Sequence, residues 1–133
     1  MGCSFDEADM TIKRISSGGE YESKVGYCRA VVANGVVFVA GTCAQGDIIP
    51  EDIAGQCVSA LTAIEKALTE AGAGFADVVR VNYYLPDMAE FEQCWPLLQR
   101  AFGKNPPAAT VTECNLITPR HRIEIEVTAV LPE

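Results

Sequence analysis

Histidine is almost missing from this 133-residue chain, with His121 the single example. No Ser-His-Asp arrangement stands out around it, and no Gly-rich phosphate loop is present. The six cysteines include no Cys-x-x-Cys pair. With one imidazole and no paired thiols, a zinc cage is not expected, and no metal or other cofactor is assigned. Positive charge is also scarce: 10 Lys and Arg face 18 Asp and Glu, a net charge of −8. Nucleic-acid affinity rests largely on cations that neutralise phosphates, so that class of partner is not expected. The densest cationic stretch, Arg120-His121-Arg122, is too short to serve as a footprint alone. Long apolar runs are absent too, which argues against a membrane span. Residues 1–10 are acidic rather than basic and do not resemble a secretory leader. Free thiols in a reducing, cytoplasmic compartment follow as the expectation.

What is present is an ordinary globular composition, 49% hydrophobic and 21% charged. The length suits one domain spanning 1–133, with 1–10 expected to fray. Short strands are predicted at 11–15, 26–32 and 36–42, the last two joined across Asn34-Gly35, a strong hairpin signal. Ile53, Cys57, Leu61, Ile64, Leu68 and Ala71 then recur at helical spacing, ending at Gly72. Val79, Val81, Tyr83 and Leu85 alternate with polar residues in a strand stopped by Pro86. Asp87 is placed to cap a second helix carrying Phe91, Trp95, Leu98 and Phe102, with Pro96 forcing a kink or an early start. Residues 109–114 and 122–131 complete the strands. This order predicts an α+β fold, a single mixed β-sheet with two helices packed on one face.

Along the last strand Ile123, Ile125, Val127 and Ala129 suit the covered face, whereas Glu124, Glu126, Thr128 and Val130 point the other way. Two helices cover one sheet face only. The second, half apolar, suits a subunit interface.

Ile123-Glu124-Ile125-Glu126, followed by Val127-Thr128-Ala129-Val130, resembles the C-terminal signature of the Rid family, the reactive intermediate deaminases. Pro107-Ala108-Ala109-Thr110-Val111 is similar to that family's Pro-Ala-Arg-Thr-Thr stretch. Val39-Ala40-Gly41, Glu70-Ala71-Gly72-Ala73, Asp77-Val78-Val79-Arg80-Val81 and Tyr84-Leu85-Pro86-Asp87 extend the likeness over about residues 11–132. The resemblance implies a chorismate-mutase-like fold and a homotrimer with clefts between subunits. It further implies an arginine that binds a substrate carboxylate, and hydrolysis of an imine or enamine to ammonia and a keto acid. Aminomuconate-like substrates are one specialisation it allows. Family cleft positions fall on Tyr27, Ala40, Gly41, Ala109, Val111 and Glu124. Ala109 stands where the arginine belongs, and a methyl cannot bind a carboxylate.

Glu124 is therefore the candidate catalytic residue, a carboxylate able to position a water and exchange its proton. Tyr27, Ala40, Gly41, Thr42, Ala109, Val111 and Arg120 are the candidate substrate-binding residues. Arg120 or Arg122 is a candidate substitute charge. Glu126 and Trp95 read as structural. Glu113 reads either as a second cleft carboxylate or as an interface charge. Cys28, Cys43 and Cys114 read as small buried hydrophobes. Two functional classes remain: an enzyme acting on a reactive imine or enamine, and a non-catalytic trimer that binds a small-molecule metabolite.

Overall fold

A computed structural model describes residues 11–133, so the expected fraying of 1–10 lies outside the described residues. The elements run β1 (Lys13–Ile15), α1 (Glu20–Val25), β2 (Ala30–Ala33), β3 (Val36–Thr42) and α2 (Ile53–Ala71). A 3-10 turn at Phe75–Asp77 leads into β4 (Val78–Leu85), and a second at Met88–Cys94 leads into α3 (Trp95–Phe102). Strands β5 (Ala108–Glu113) and β6 (Glu124–Val130) close the chain. All six strands form one mixed sheet in the order β1-β2-β3-β6-β4-β5, antiparallel except for the parallel β4/β5 pair.

Local chemistry explains these boundaries. Asn34 and Gly35 both have positive φ, 53° and 78°, which matches the twist of a two-residue hairpin between β2 and β3. The Asp52 carboxylate accepts the Gly55 N–H at 3.0 Å to cap α2, and Gly72 ends that helix at φ 92°. Pro96 stands in the first turn of α3, where a missing N–H costs nothing. The core forms where Ile53, Cys57, Ile64 and Leu68 of α2 meet Val37, Val39, Val81, Ile125 and Val127 of the sheet.

The fold class is the expected one, with three corrections. The first is in β4: Val79, expected on one face with Val81, Tyr83 and Leu85, is 48% exposed, because a register shift against β6 between Val78 and Arg80 turns Val78 inward instead. Three α-helices are present, not two. The additional α1 has no apolar stripe; its buried residue is Glu22, held by hydrogen bonds, so hydrophobic periodicity carries no sign of it. The expected strand from Gly26 starts only at Ala30, because Gly26 caps α1 with φ 94° and the chain turns before entering the sheet. Asp87 does cap a helical segment, but that segment is 3-10 as far as Cys94.

Candidate active site

Where β3 ends and β6 begins, segments near 17–21, 43–49 and 117–121 enclose a cavity of about 570 Å³. Tyr27, Arg29, Gly41, Cys43, Arg120 and Glu124 all face it. A β-bulge builds this end of the sheet. From Val39 to Thr42, β3 advances three residues while β6 advances two, from Val127 to Ile125. The extra residue reverses the alternation, as bulges do. Thr42 turns inward and is fully buried, while Ala40 and Gly41 remain on the face of Glu124. A Cβ on Gly41 would collide with the Glu124 carboxylate, so glycine permits the close approach.

Glu124 is partly buried, and the Cys43 thiol donates to its Oε1 at 3.3 Å. Burial, together with the charge and hydrogen bond of Glu124, pushes the Cys43 pKa up to about 12 against a smaller opposing pull from Arg29. Cys43 is therefore a neutral donor that orients Glu124, and a thiolate nucleophile is not available near neutral pH. His121 is 7% exposed, with Nδ1 2.7 Å from the Thr118 hydroxyl. Burial and the neighbouring Arg120 lower its pKa, so its ring is neutral at pH 7.

The loop carrying Arg120 and His121 is fixed from α2. Gln56, fully buried, donates from Nε2 to the carbonyls of Pro50 (2.8 Å) and Arg120 (2.9 Å). Its Oε1 accepts the Arg122 N–H at 2.7 Å. Arg122 itself points elsewhere, to Glu90 at 3.4 Å and the Glu51 carbonyl at 3.0 Å. Of the two candidate substitute cations, only Arg120 faces the cavity.

Arg29 is the residue that sequence reasoning missed. It is 4% exposed. It donates from Nη1 to the Gly41 carbonyl (2.9 Å) and Thr42 Oγ1 (3.0 Å), and from Nη2 to the Tyr27 hydroxyl (3.3 Å). An arginine inside the run Cys28-Arg29-Ala30-Val31-Val32 was the available signal, since a charge there must either face water or find partners on burial.

Tyr27, Gly41, Arg120 and Glu124 thus meet at one cavity, with Ala40 beside Gly41; Thr42, expected to bind substrate, is corrected to a buried support because the bulge turns it inward. Ala109 and Val111 do not join them within one chain. They pair with Val81 and Tyr83 on the helix-covered side of β5, whereas Glu124 pairs with Tyr84 on the opposite face. Ala109 instead borders an apolar groove of about 540 Å³ between α3 and β5. Trp95 lines that groove and is 54% exposed, so the packing role expected of it is corrected to a surface one. Glu113 accepts the Met88 N–H at 3.0 Å and caps the 3-10 turn, a role not foreseen. Glu126 accepts from Asn82 and Tyr84, each at 2.9 Å, and is structural. Among the described residues no group of three or more His, Cys, Asp or Glu side chains is arranged to hold a metal ion, and no helix is long and apolar enough to cross a membrane.

A half-covered mixed sheet with a carboxylate, a tyrosine and two arginines around a terminal cavity defines an α+β chain with a polar cleft at one end of its sheet. The profile of the family described as Endoribonuclease L-PSP matches residues 19–131, and the chain belongs to this family, whose members include the YjgF, RutC and Rid proteins. Among solved structures, a member of the YjgF/YER057c/UK114 family from Mycobacterium tuberculosis is 42% identical, with TM-score 0.84, covering 91% of this chain and 100% of that one. A YjgF-family protein from Neisseria meningitidis is 30% identical, with TM-score 0.77, covering 94% and 98%. A RutC family protein from Pyrococcus abyssi is 32% identical over 107 residues, 77% of this chain and 84% of its own. The 2-iminobutanoate/2-iminopropanoate deaminase of Bos taurus is 27% identical over 124 residues, 90% of each chain.

Proposed function

We propose that this protein hydrolyses a small imine or enamine to a carbonyl compound and ammonia, with Glu124 as the acid/base. The observation that carries the reading is Glu124 held by Cys43 against the bare backbone of Gly41, at a cavity wide enough for a metabolite and a water. Glu124 takes a proton from the water as its oxygen bonds to the imine carbon, and passes that proton to the nitrogen. The resulting carbinolamine gives its hydroxyl proton back through Glu124 to the nitrogen. The C–N bond then breaks, ammonia leaves and the C=O bond forms. Tyr27, Gly41 and Arg120 line the binding wall, while Thr42, buried beneath Gly41, supports it by accepting from Arg29. An enamine enters the same route after protonation on carbon.

The working unit in this reading is a homotrimer, in which Ala109 and Val111 of one subunit approach the cavity of the next. Two surfaces support it: the six exposed residues of edge strand β5, and the apolar Phe38 and Val130 on the open face. A net charge of −8 favours a metabolite over RNA as partner. The five free cysteines among the described residues favour a reducing compartment, and we place the protein in the cytoplasm. Ammonia release from freshly generated 2-aminoacrylate and 2-iminobutanoate tests the reaction. Wild type should turn these over, and Glu124→Gln should lose turnover while keeping its oligomeric state and melting temperature. Normal turnover by the variant would remove the mechanism. Ala109, where the resemblance expects an arginine, favours a second reading: a trimer that binds a metabolite without converting it. Saturable binding with no product across both substrates would establish that instead.

A further inference from the structure

Arg29 is a buried cation whose protein partners are all neutral. Its Nε donates to Ser17 Oγ at 3.4 Å, Nη1 uses both its hydrogens on Gly41 and Thr42, and Nη2 donates one to Tyr27. The fifth guanidinium N–H has no acceptor among these contacts. The ion pairs among the described residues are Lys24–Glu20 and Arg122–Glu90, and Arg29 is in neither. The carboxylate nearest along its bonds is Glu22, one hydroxyl away, since Ser17 Oγ also donates to Glu22 Oε2. A buried charge without a paired counter-ion is costly, and such groups are ordinarily paired. The Tyr27 hydroxyl accepts from Arg29, so its own proton is free to be donated. Both residues face the cavity, and they bring two donors and one positive charge to the same wall.

We propose that Arg29, with the Tyr27 hydroxyl, is the anion-binding element of this cavity, and that its ligand is a small molecule carrying a carboxylate. Gly41 fixes the spacing. Its carbonyl accepts from Arg29 on one side, while its Cα abuts Glu124 on the other. A carboxylate held by Arg29 and Tyr27 places the adjoining carbon of the same molecule toward Glu124, so a 2-imino acid fits better than an imine without a neighbouring acid group. The inference rests on the deaminase reading for its reaction but not for its binding.

Binding and turnover separate the two. Wild-type protein is titrated with 2-oxobutanoate and with 2-butanone, the same carbon chain lacking the carboxylate, and backbone amide shifts are followed. The proposal expects 2-oxobutanoate to bind at least about tenfold more tightly, moving the Tyr27, Gly41 and Thr42 amides. Arg29→Lys, which keeps the charge but loses the fork, should weaken 2-oxobutanoate about tenfold and leave 2-butanone unaffected. A merely structural Arg29 would weaken both ligands alike. Equal binding of the two ligands by wild type, failure of 2-oxobutanoate to bind, or shifts centred away from Tyr27 and Gly41 would each overturn the proposal, even if the variant does not fold. With 2-iminobutanoate, Arg29→Lys should raise KM about tenfold and change kcat little. Turnover with unchanged KM sinks the proposal and leaves the deaminase reading. Arg29-dependent binding of 2-oxobutanoate without turnover in wild type does the reverse.

Discussion

At the scale of single residues the site depends on what is small or neutral as much as on what is charged. Gly41 has an ordinary negative-φ backbone, so its importance is space rather than conformation. An added methyl overlaps the carboxylate end of the Glu124 side chain and presses on its Cγ at 3.3 Å, so this flexible side chain rather than backbone must move. Gly41→Ala should therefore reduce turnover on the order of a hundredfold, the usual effect of misplacing a reacting group by about an ångström. Its melting temperature should remain within about 2 °C of wild type, as the energy change is well below a kilocalorie per mole. A large loss of melting temperature would mean that the backbone, not Glu124, yields. Glu22 supplies a pH effect. Burial pushes its carboxyl up, but hydrogen bonds from Ser17, Gly19 and Ser16 outweigh this, and its pKa lies below the ordinary value of 4.5. A group depressed in the folded state contributes stability above its unfolded pKa and loses it as pH falls through the folded value. The urea midpoint should accordingly fall in acid, below about pH 4.5. Glu22→Gln should be less stable at pH 7 and show a flatter decline; an unchanged acid slope would assign the effect to other carboxylates. Glu124 was legible in the sequence because strand alternation and the family likeness agree on it. Arg29 was not, since alternation names a face but never reveals which buried charge finds neutral partners.

At the scale of elements, periodicity succeeded where apolar burial fixes the structure. The α2 stripe from Ile53 to Leu68 and the alternation of β6 both reappear as core. It failed where polar contacts fix the structure, at α1 and at the β3 bulge, neither of which leaves a repeat in the sequence. The bulge matters most, because strict alternation would point Thr42 at the cavity and Gly41 into the core. The loop before β6 is another such case. It has no helix or strand, and the buried Gln56 side chain fastens it through three part-buried hydrogen bonds. Gln56→Leu keeps the volume roughly but leaves the Arg122 N–H and two carbonyls without partners. The expected loss is about 1–2 kcal/mol, below the upper end for orphaned polar groups because these are only part-buried. Chemical denaturation would measure it. Because the same loop sets Arg120 and His121, turnover should also fall before the global unfolding midpoint is reached. A loss under about 0.5 kcal/mol would show that water replaces the glutamine contacts.

At the scale of the whole molecule, the sheet is covered on one side and lacks a cover on the other. Phe38 (50% exposed) and Val130 (47%) lie on the open face in adjacent strands, with Phe38 opposite Thr128 and Val130 opposite Val36. Such an apolar surface on a 14.3 kDa chain favours association. Strand β5 adds a second exposed surface, because α3 stops short of it and leaves Trp95, Ala109 and the apolar groove open. The site has the same geometry problem: Glu124 and Ala109 face opposite sides of the sheet with β4 between their strands, so one chain cannot bring them to a common ligand. The proposed homotrimer would answer all three features at once if each β5 edge meets the cavity end of its neighbour. Sedimentation equilibrium should give three times 14.3 kDa for wild type. Phe38→Asp places a charge in the proposed interface and should shift the mass toward the monomer. Turnover should fall with the trimer fraction and recover as protein concentration rises. A wild type that sediments as a monomer while retaining full turnover would refute the shared site and leave Tyr27, Arg29, Gly41 and Glu124 to act within a single chain.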